Sequence, residues 1–94
     1  MKVKFTPSAE AEVKSILAYV RKESPLGAQK LKAKIKTTLT RLIKFPDSGR
    51  YIPEFPDFEG REVIVSPYRF FYQVFGDTLW ILAVWHSAQL PTHP

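Results

Sequence analysis

Apolar residues at Ala9, Val13, Ile16, Leu17 and Val20 recur at the spacing of one helical face. A second set, Ala28, Leu31, Ile35, Leu39, Leu42 and Ile43, repeats that spacing further along. Each run opens on a hydroxyl residue followed by proline, Thr6-Pro7 and Ser24-Pro25, the pattern of an N-cap with proline at the first helical position. Phe45-Pro46 stops the second run. With a link of only about three to five residues, the two predicted helices should form an antiparallel hairpin.

Period-two patterns flank this hairpin. Val3-Lys4-Phe5 reads as a short first strand, and three strand-like runs come late: Glu62 to Ser66, Arg69 to Phe75 and Thr78 to Val84. Between them, residues 46–60 carry Pro46, Pro53, Pro56, Gly49 and Gly60 and read as a loop, with Tyr51, Phe55 and Phe58 expected to pack back onto the body. The predicted class is α+β, in the order β-α-α-β-β-β. A helical hairpin should cover one face of an antiparallel sheet in a single domain spanning 1–94.

Gly76-Asp77 suits a two-residue hairpin turn, which fixes a register. Phe75 then opposes Thr78, Gln73 opposes Trp80, Phe71 opposes Leu82 and Arg69 opposes Val84. Alternation puts Tyr68, Phe70, Tyr72, Val74, Leu79, Ile81, Ala83 and Trp85 on the helix side. The other side receives Arg69, Phe71, Gln73, Phe75, Thr78, Trp80, Leu82, Val84 and, where the strand continues, His86. There Arg69 could clamp a phosphate and His86 could donate a proton near neutral pH, while Phe71 and Trp80 could stack on bases. These are parts for cleaving RNA, although a lone histidine at a strand end more often has a structural role.

Composition narrows the setting. A chain of 94 residues has room for one core, and 45% hydrophobic residues argue against disorder. The absence of cysteine, of a long apolar run and of a signal-peptide pattern points to a cytoplasmic protein with no membrane span. His86 and His93 lack partners at ligand spacing, so no metal site is expected, and no cofactor motif appears.

Charge is unevenly spread. The net charge is +5, yet eleven Lys/Arg fall in residues 1–45 against three in residues 46–94. The second helix carries six basic residues and no acid, with Lys30, Lys34, Arg41 and Lys44 on one stripe. Such a stripe suits a polyanion or an acidic protein segment, and equally an ordinary solvated face.

Several motifs in this order resemble the RelE/ParE toxins, the small basic halves of bacterial type II toxin–antitoxin pairs. They are Pro46-Asp-Ser-Gly-Arg50 after the second helix, Arg61-Glu62 opening a strand, Pro67-Tyr-Arg-Phe-Phe-Tyr72 and the closing Val84-Trp-His-Ser-Ala-Gln89. The resemblance implies a cognate antitoxin whose flexible acidic segment neutralises the toxin, and it admits a heterotetramer of the two. The superfamily divides by target. The closing Val84-x-His86 followed by small residues resembles the ParE branch, which binds DNA gyrase, although an arginine often stands where Gln89 does. Glu54, Arg69 and His86 resemble the glutamate, arginine and histidine of YoeB-like endoribonucleases, which cut messenger RNA on the ribosome. In that reading they serve as base, phosphate clamp and acid, and Phe71, Gln73, Trp80 and Arg61 would touch the RNA or another target. A third reading is a weakly toxic, antitoxin-bound repressor partner. The first is narrowly favoured, because the nuclease set lacks its loop lysines and has Ser87 in place of a final aromatic.

Overall fold

Strand β1 (Lys2–Phe5) leads into Thr6, which accepts from the Ala9 N–H at 3.2 Å and opens helix α1 (Pro7–Glu23). Ser24 alone separates α1 from α2 (Pro25–Lys44). Its N–H donates to the Val20 carbonyl at 2.7 Å, and its hydroxyl accepts from the Gly27 N–H at 2.9 Å. One residue therefore closes one helix and starts the next, a tighter link than the sequence suggested. The computed structural model describes residues 1–87, so Gln89 and His93 lie outside the described residues.

Beyond α2 the chain makes a 3-10 turn at Pro46–Ser48 and a two-residue strand, β2 (Arg50–Tyr51), inside the region expected to be loop. Strands β3 (Arg61–Val65), β4 (Tyr68–Phe75) and β5 (Thr78–His86) follow. The sheet order is β1-β5-β4-β3-β2. β1 runs parallel to β5, so the sheet is mixed where a wholly antiparallel one was expected. The reason is topological: the helical pair carries the chain across the sheet and leaves the first and last strands as neighbours, a pairing that no local pattern encodes.

The main core lies between the helices and one sheet face. Leu31, Ile35 and Leu42 of α2 and Ala9 of α1 meet Val63, Val65, Phe70, Tyr72, Leu79, Ile81 and Val84. Val13, Ile16, Leu17 and Val20 complete the α1 face. Ile43, assigned to the apolar face of α2, is instead 40% exposed. In the loop, Ile52 is buried, whereas Tyr51 is exposed with Arg61 over its ring at 4.4 Å.

Gly76 has φ 60° and Asp77 does not have positive φ, the pattern of a II′ hairpin turn. From there Phe75–Thr78, Gln73–Trp80 and Tyr72–Ile81 pair as predicted. The register then shifts between Tyr72 and Phe71, because β5 carries one extra residue. Leu82 has no opposite number, Phe71 faces Ala83, Arg69 faces Trp85 and Tyr68 faces His86. Every later side chain of β5 changes side. Val84 joins the helix-side core and Trp85 leaves it, the reverse of the sequence expectation.

Candidate functional site

The bulge separates Arg69 from His86. His86 is paired with Tyr68 on the helix side of the sheet, their rings edge to face at 5.7 Å, at the exposed end of β5. Arg69, paired with Trp85, points to the opposite side. The shared open face on which an arginine clamp and a histidine acid were expected together is therefore not formed.

Arg69 is only 5% exposed and is held by two carboxylates. Its Nε donates to Glu62 Oε1 at 2.6 Å and its Nη2 to Glu62 Oε2 at 3.2 Å. On the other side of the fork, Nη1 reaches Glu54 Oε2 at 2.9 Å and Nη2 reaches Glu54 Oε1 at 2.8 Å. Glu62 also accepts from Arg50 Nε at 2.8 Å. Arg50, Glu62, Arg69 and Glu54 thus form an alternating, charge-balanced chain across the sheet and its loop. Fork-on-carboxylate geometry of this kind is directional and strong once water is excluded. The ion pairs with Glu54 and Glu62 hold the Arg69 proton more firmly than usual, Glu54 contributing most.

This geometry makes Glu54 a poor base. The Arg69 hydrogen bonds, followed by one from its own backbone, lower its pKa to about 2. A carboxylate so placed is ionised at neutral pH but has little affinity for a proton. Both its oxygens are occupied by Arg69, although 32% of the side chain stays accessible. The structure brings Glu54 and Arg69 together as a latch that ties the 46–60 loop to the sheet.

The other predicted contact residues divide between the two sides. Phe71 is fully buried, with the Arg69 guanidinium 5.2 Å from its ring centre, so it presents no stacking surface. Gln73 and Trp80 are half-buried partners on the same face, where Lys4 Nζ lies 5.8 Å from the Trp80 ring centre. Arg61 is on the helix side, opposite Tyr72. It donates to the Gly49 carbonyl at 3.0 Å and to the Tyr51 hydroxyl at 3.3 Å, with Asp47 at 4.0 Å. Lys30, Lys34, Arg41 and Lys44 are all exposed, and no basic residue of α2 enters an ion pair among the described residues.

Two residues important to this region were missed. Glu62 sits on Arg69's face because Glu62 pairs with Phe71 and Ile64 with Arg69 across the β3–β4 turn. Counting back from Ser66-Pro67 could have located it, since an acid amid strand residues needs a partner. The second is Tyr72. Its hydroxyl donates to the Pro46 carbonyl at 2.6 Å and accepts from the Gly49 N–H at 2.9 Å. Burial raises its pKa above the ordinary tyrosine value. A Cβ at Gly49 would collide with Tyr72 Oη and the Glu62 carbonyl. Pro46 and Gly49 thus serve as a clamp for one hydroxyl, a structural account of the Pro-x-x-Gly spacing.

Toxin RelE2 of Caulobacter vibrioides is 33% identical over 89 residues, covering 94% of this chain and 97% of that protein. A chain of the chromosomal ParDE TA system from P. aeruginosa superposes with a TM-score of 0.70 at 22% identity, covering 92% of this chain and 95% of its own. That likeness shows a shared fold. The family model for the ParE toxin of the type II toxin–antitoxin system parDE matches residues 3–91, nearly the whole length. The chain therefore belongs to the ParE toxin family of type II toxin–antitoxin systems.

Proposed function

We propose that this toxin arrests growth by binding DNA gyrase, with no cleavage of RNA by its own side chains, and that a cognate antitoxin neutralises it. The observation that carries the reading is the placement of Arg69 and His86 on opposite sides of the sheet, with Arg69 already taken up by Glu54 and Glu62. Cleavage by a 2′-hydroxyl requires a base, a cation and an acid around one phosphate. The described residues do not gather such a set, whereas the ParE family match covers residues 3–91.

Two assays on the purified chain decide between binding and cutting. Gyrase supercoiling of relaxed plasmid should fall with added toxin, and messenger RNA on translating ribosomes should stay intact. His86→Ala should retain full growth arrest. Normal supercoiling at a molar excess of toxin, together with cut messenger RNA that His86→Ala abolishes, would reinstate the nuclease.

A further inference from the structure

Positive charge is handled in two ways along this chain. In the second half of the sequence each arginine is engaged by the fold. Arg50 and Arg69 donate to Glu62, Arg69 also to Glu54, and Arg61 donates to the Gly49 carbonyl beside Asp47. Helix α1 is balanced within itself, with Lys14, Arg21 and Lys22 against Glu10, Glu12 and Glu23. Helix α2 is not. Its Lys30, Lys32, Lys34, Lys36, Arg41 and Lys44 are all exposed, and its sequence holds no acid. None of the six enters an ion pair among the described residues. Exposed helices usually set acids beside such cations one turn away, as Glu10 does for Lys14.

Two pairs of cations define the outer face of this helix. At the rise of an α-helix, Lys30 and Lys34 lie about 6 Å apart along the axis, and Arg41 and Lys44 about 4.5 Å. The midpoints of the pairs are roughly 16 Å apart. The major groove of B-form DNA is about 12 Å wide between its phosphate walls, so side chains of this length reach one strand from each pair. Lys36, Arg41 and Lys44 also line a hollow with Thr37, Thr40 and the exposed Phe45, and no side chain lining it is acidic. Phe45 is its one aromatic residue, whereas single strands are held on successive stacking rings. The face suits a backbone of fixed geometry.

We infer that the outer face of α2 binds the sugar–phosphate backbone of duplex DNA, through Lys30, Lys34, Arg41 and Lys44. Lysine and arginine on phosphates fix position and carry no sequence information, so the binding is indifferent to sequence. It goes beyond the gyrase reading, which needs only a contact with protein. A toxin held on DNA in this way meets a DNA-handling target where that target works.

The test uses the full chain and a fluorescently labelled DNA duplex of mixed sequence, with anisotropy followed across a salt series. Four phosphate contacts give a slope of about −3.6 in log K against log salt, roughly a 150-fold loss between about 50 and 200 mM. Lys34→Gln with Arg41→Gln should reduce the slope to about −1.8. Lys2→Gln with Lys4→Gln removes the same charge from β1 and should leave the slope unchanged. Acetylation of amines, read by mass spectrometry, should show DNA shielding Lys30, Lys34 and Lys44 while Lys2 and Lys22 react as before. A slope near zero, an equal loss from the β1 pair, or shielding centred on β1 or α1 would overturn the inference. So would tighter binding to the single strand of the same sequence, or a polyglutamate peptide that binds this face more tightly than the duplex at matched salt. Binding is measured on the toxin alone, so its loss leaves the gyrase reading untouched, and normal supercoiling leaves the DNA face standing.

Discussion

The Thr6 hydroxyl donates to the Leu82 carbonyl at 3.0 Å, joining the start of α1 to the extra residue of β5. The same oxygen accepts from the Ala9 N–H, and the Thr6 N–H donates to the Ile81 carbonyl at 3.0 Å. A bulge exposes a carbonyl that the β4 ladder cannot use, and a buried one left unpaired is costly. Thr6 supplies the partner. The helix cap and the bulge that sends Arg69 and His86 to opposite sides are thus bonded to the same side chain.

Thr6→Val should therefore cost more than an ordinary cap. Loss of the cap is worth about 1 kcal/mol and the stranded Leu82 carbonyl a further 1–3 kcal/mol, both order-of-magnitude figures. Thr6→Ser keeps the hydroxyl and should recover most of it. Urea unfolding of the three proteins measures the difference; equal midpoints for Val and wild type would show that the bond contributes nothing.

Removing Arg69 should act on folding before it acts on function. Among the described residues, Arg69→Ala leaves the buried Glu62 with Arg50 as its remaining side-chain partner. Breaking a buried pair from one side costs roughly 3–5 kcal/mol. Lysine lacks the two-sided fork and should not restore stability. Thermal unfolding of Arg69→Ala and Arg69→Lys checks this, and a growth phenotype in either has to be read beside the amount of folded protein.

Glu54 gives the acid limb of stability a definite sign. Its carboxyl falls from 4.5 to about 2, mainly through the Arg69 hydrogen bonds. Because the folded value is the lower one, the unfolded chain binds the proton first. Its stabilising contribution is present above pH 4.5 and is lost as the pH falls toward 2. Glu54→Gln should flatten the stability curve in that window while leaving its slope near pH 7 unchanged. An unaltered acid limb in denaturant titrations would contradict the latch.

Gly49 and Tyr72 should behave as one unit. Gly49→Ala places a methyl against the Tyr72 hydroxyl and the Glu62 carbonyl, so overpacking of about 1–3 kcal/mol is expected. Tyr72→Phe removes the clamp's two hydrogen bonds and leaves the Gly49 N–H and Pro46 carbonyl behind, at about 1–3 kcal/mol. Phenylalanine also removes the oxygen that the methyl strikes, so the double variant should lose less than the sum of the singles. Strict additivity in a denaturant cycle would sink the shared-clamp account.

What the residue pattern determined by itself was everything set by near neighbours. The helical faces, the Thr6 and Ser24 caps and the stop at Phe45-Pro46 were legible because each is a local preference of backbone or side chain. So was the Gly76-Asp77 turn, which fixes the ladder as far as Tyr72–Ile81. Arg69 and Glu54 could be singled out as chemistry-bearing residues, but their relation to each other could not. That required the 46–60 loop to fold back on the sheet and Glu62 to arrive beside both arginines. The tertiary structure alone decided the side on which His86 stands. A period-two pattern contains no sign of one inserted residue, and the groups that accommodate Leu82 come from the far end of the chain, through Thr6. Such contacts exist only once the first and last strands lie side by side.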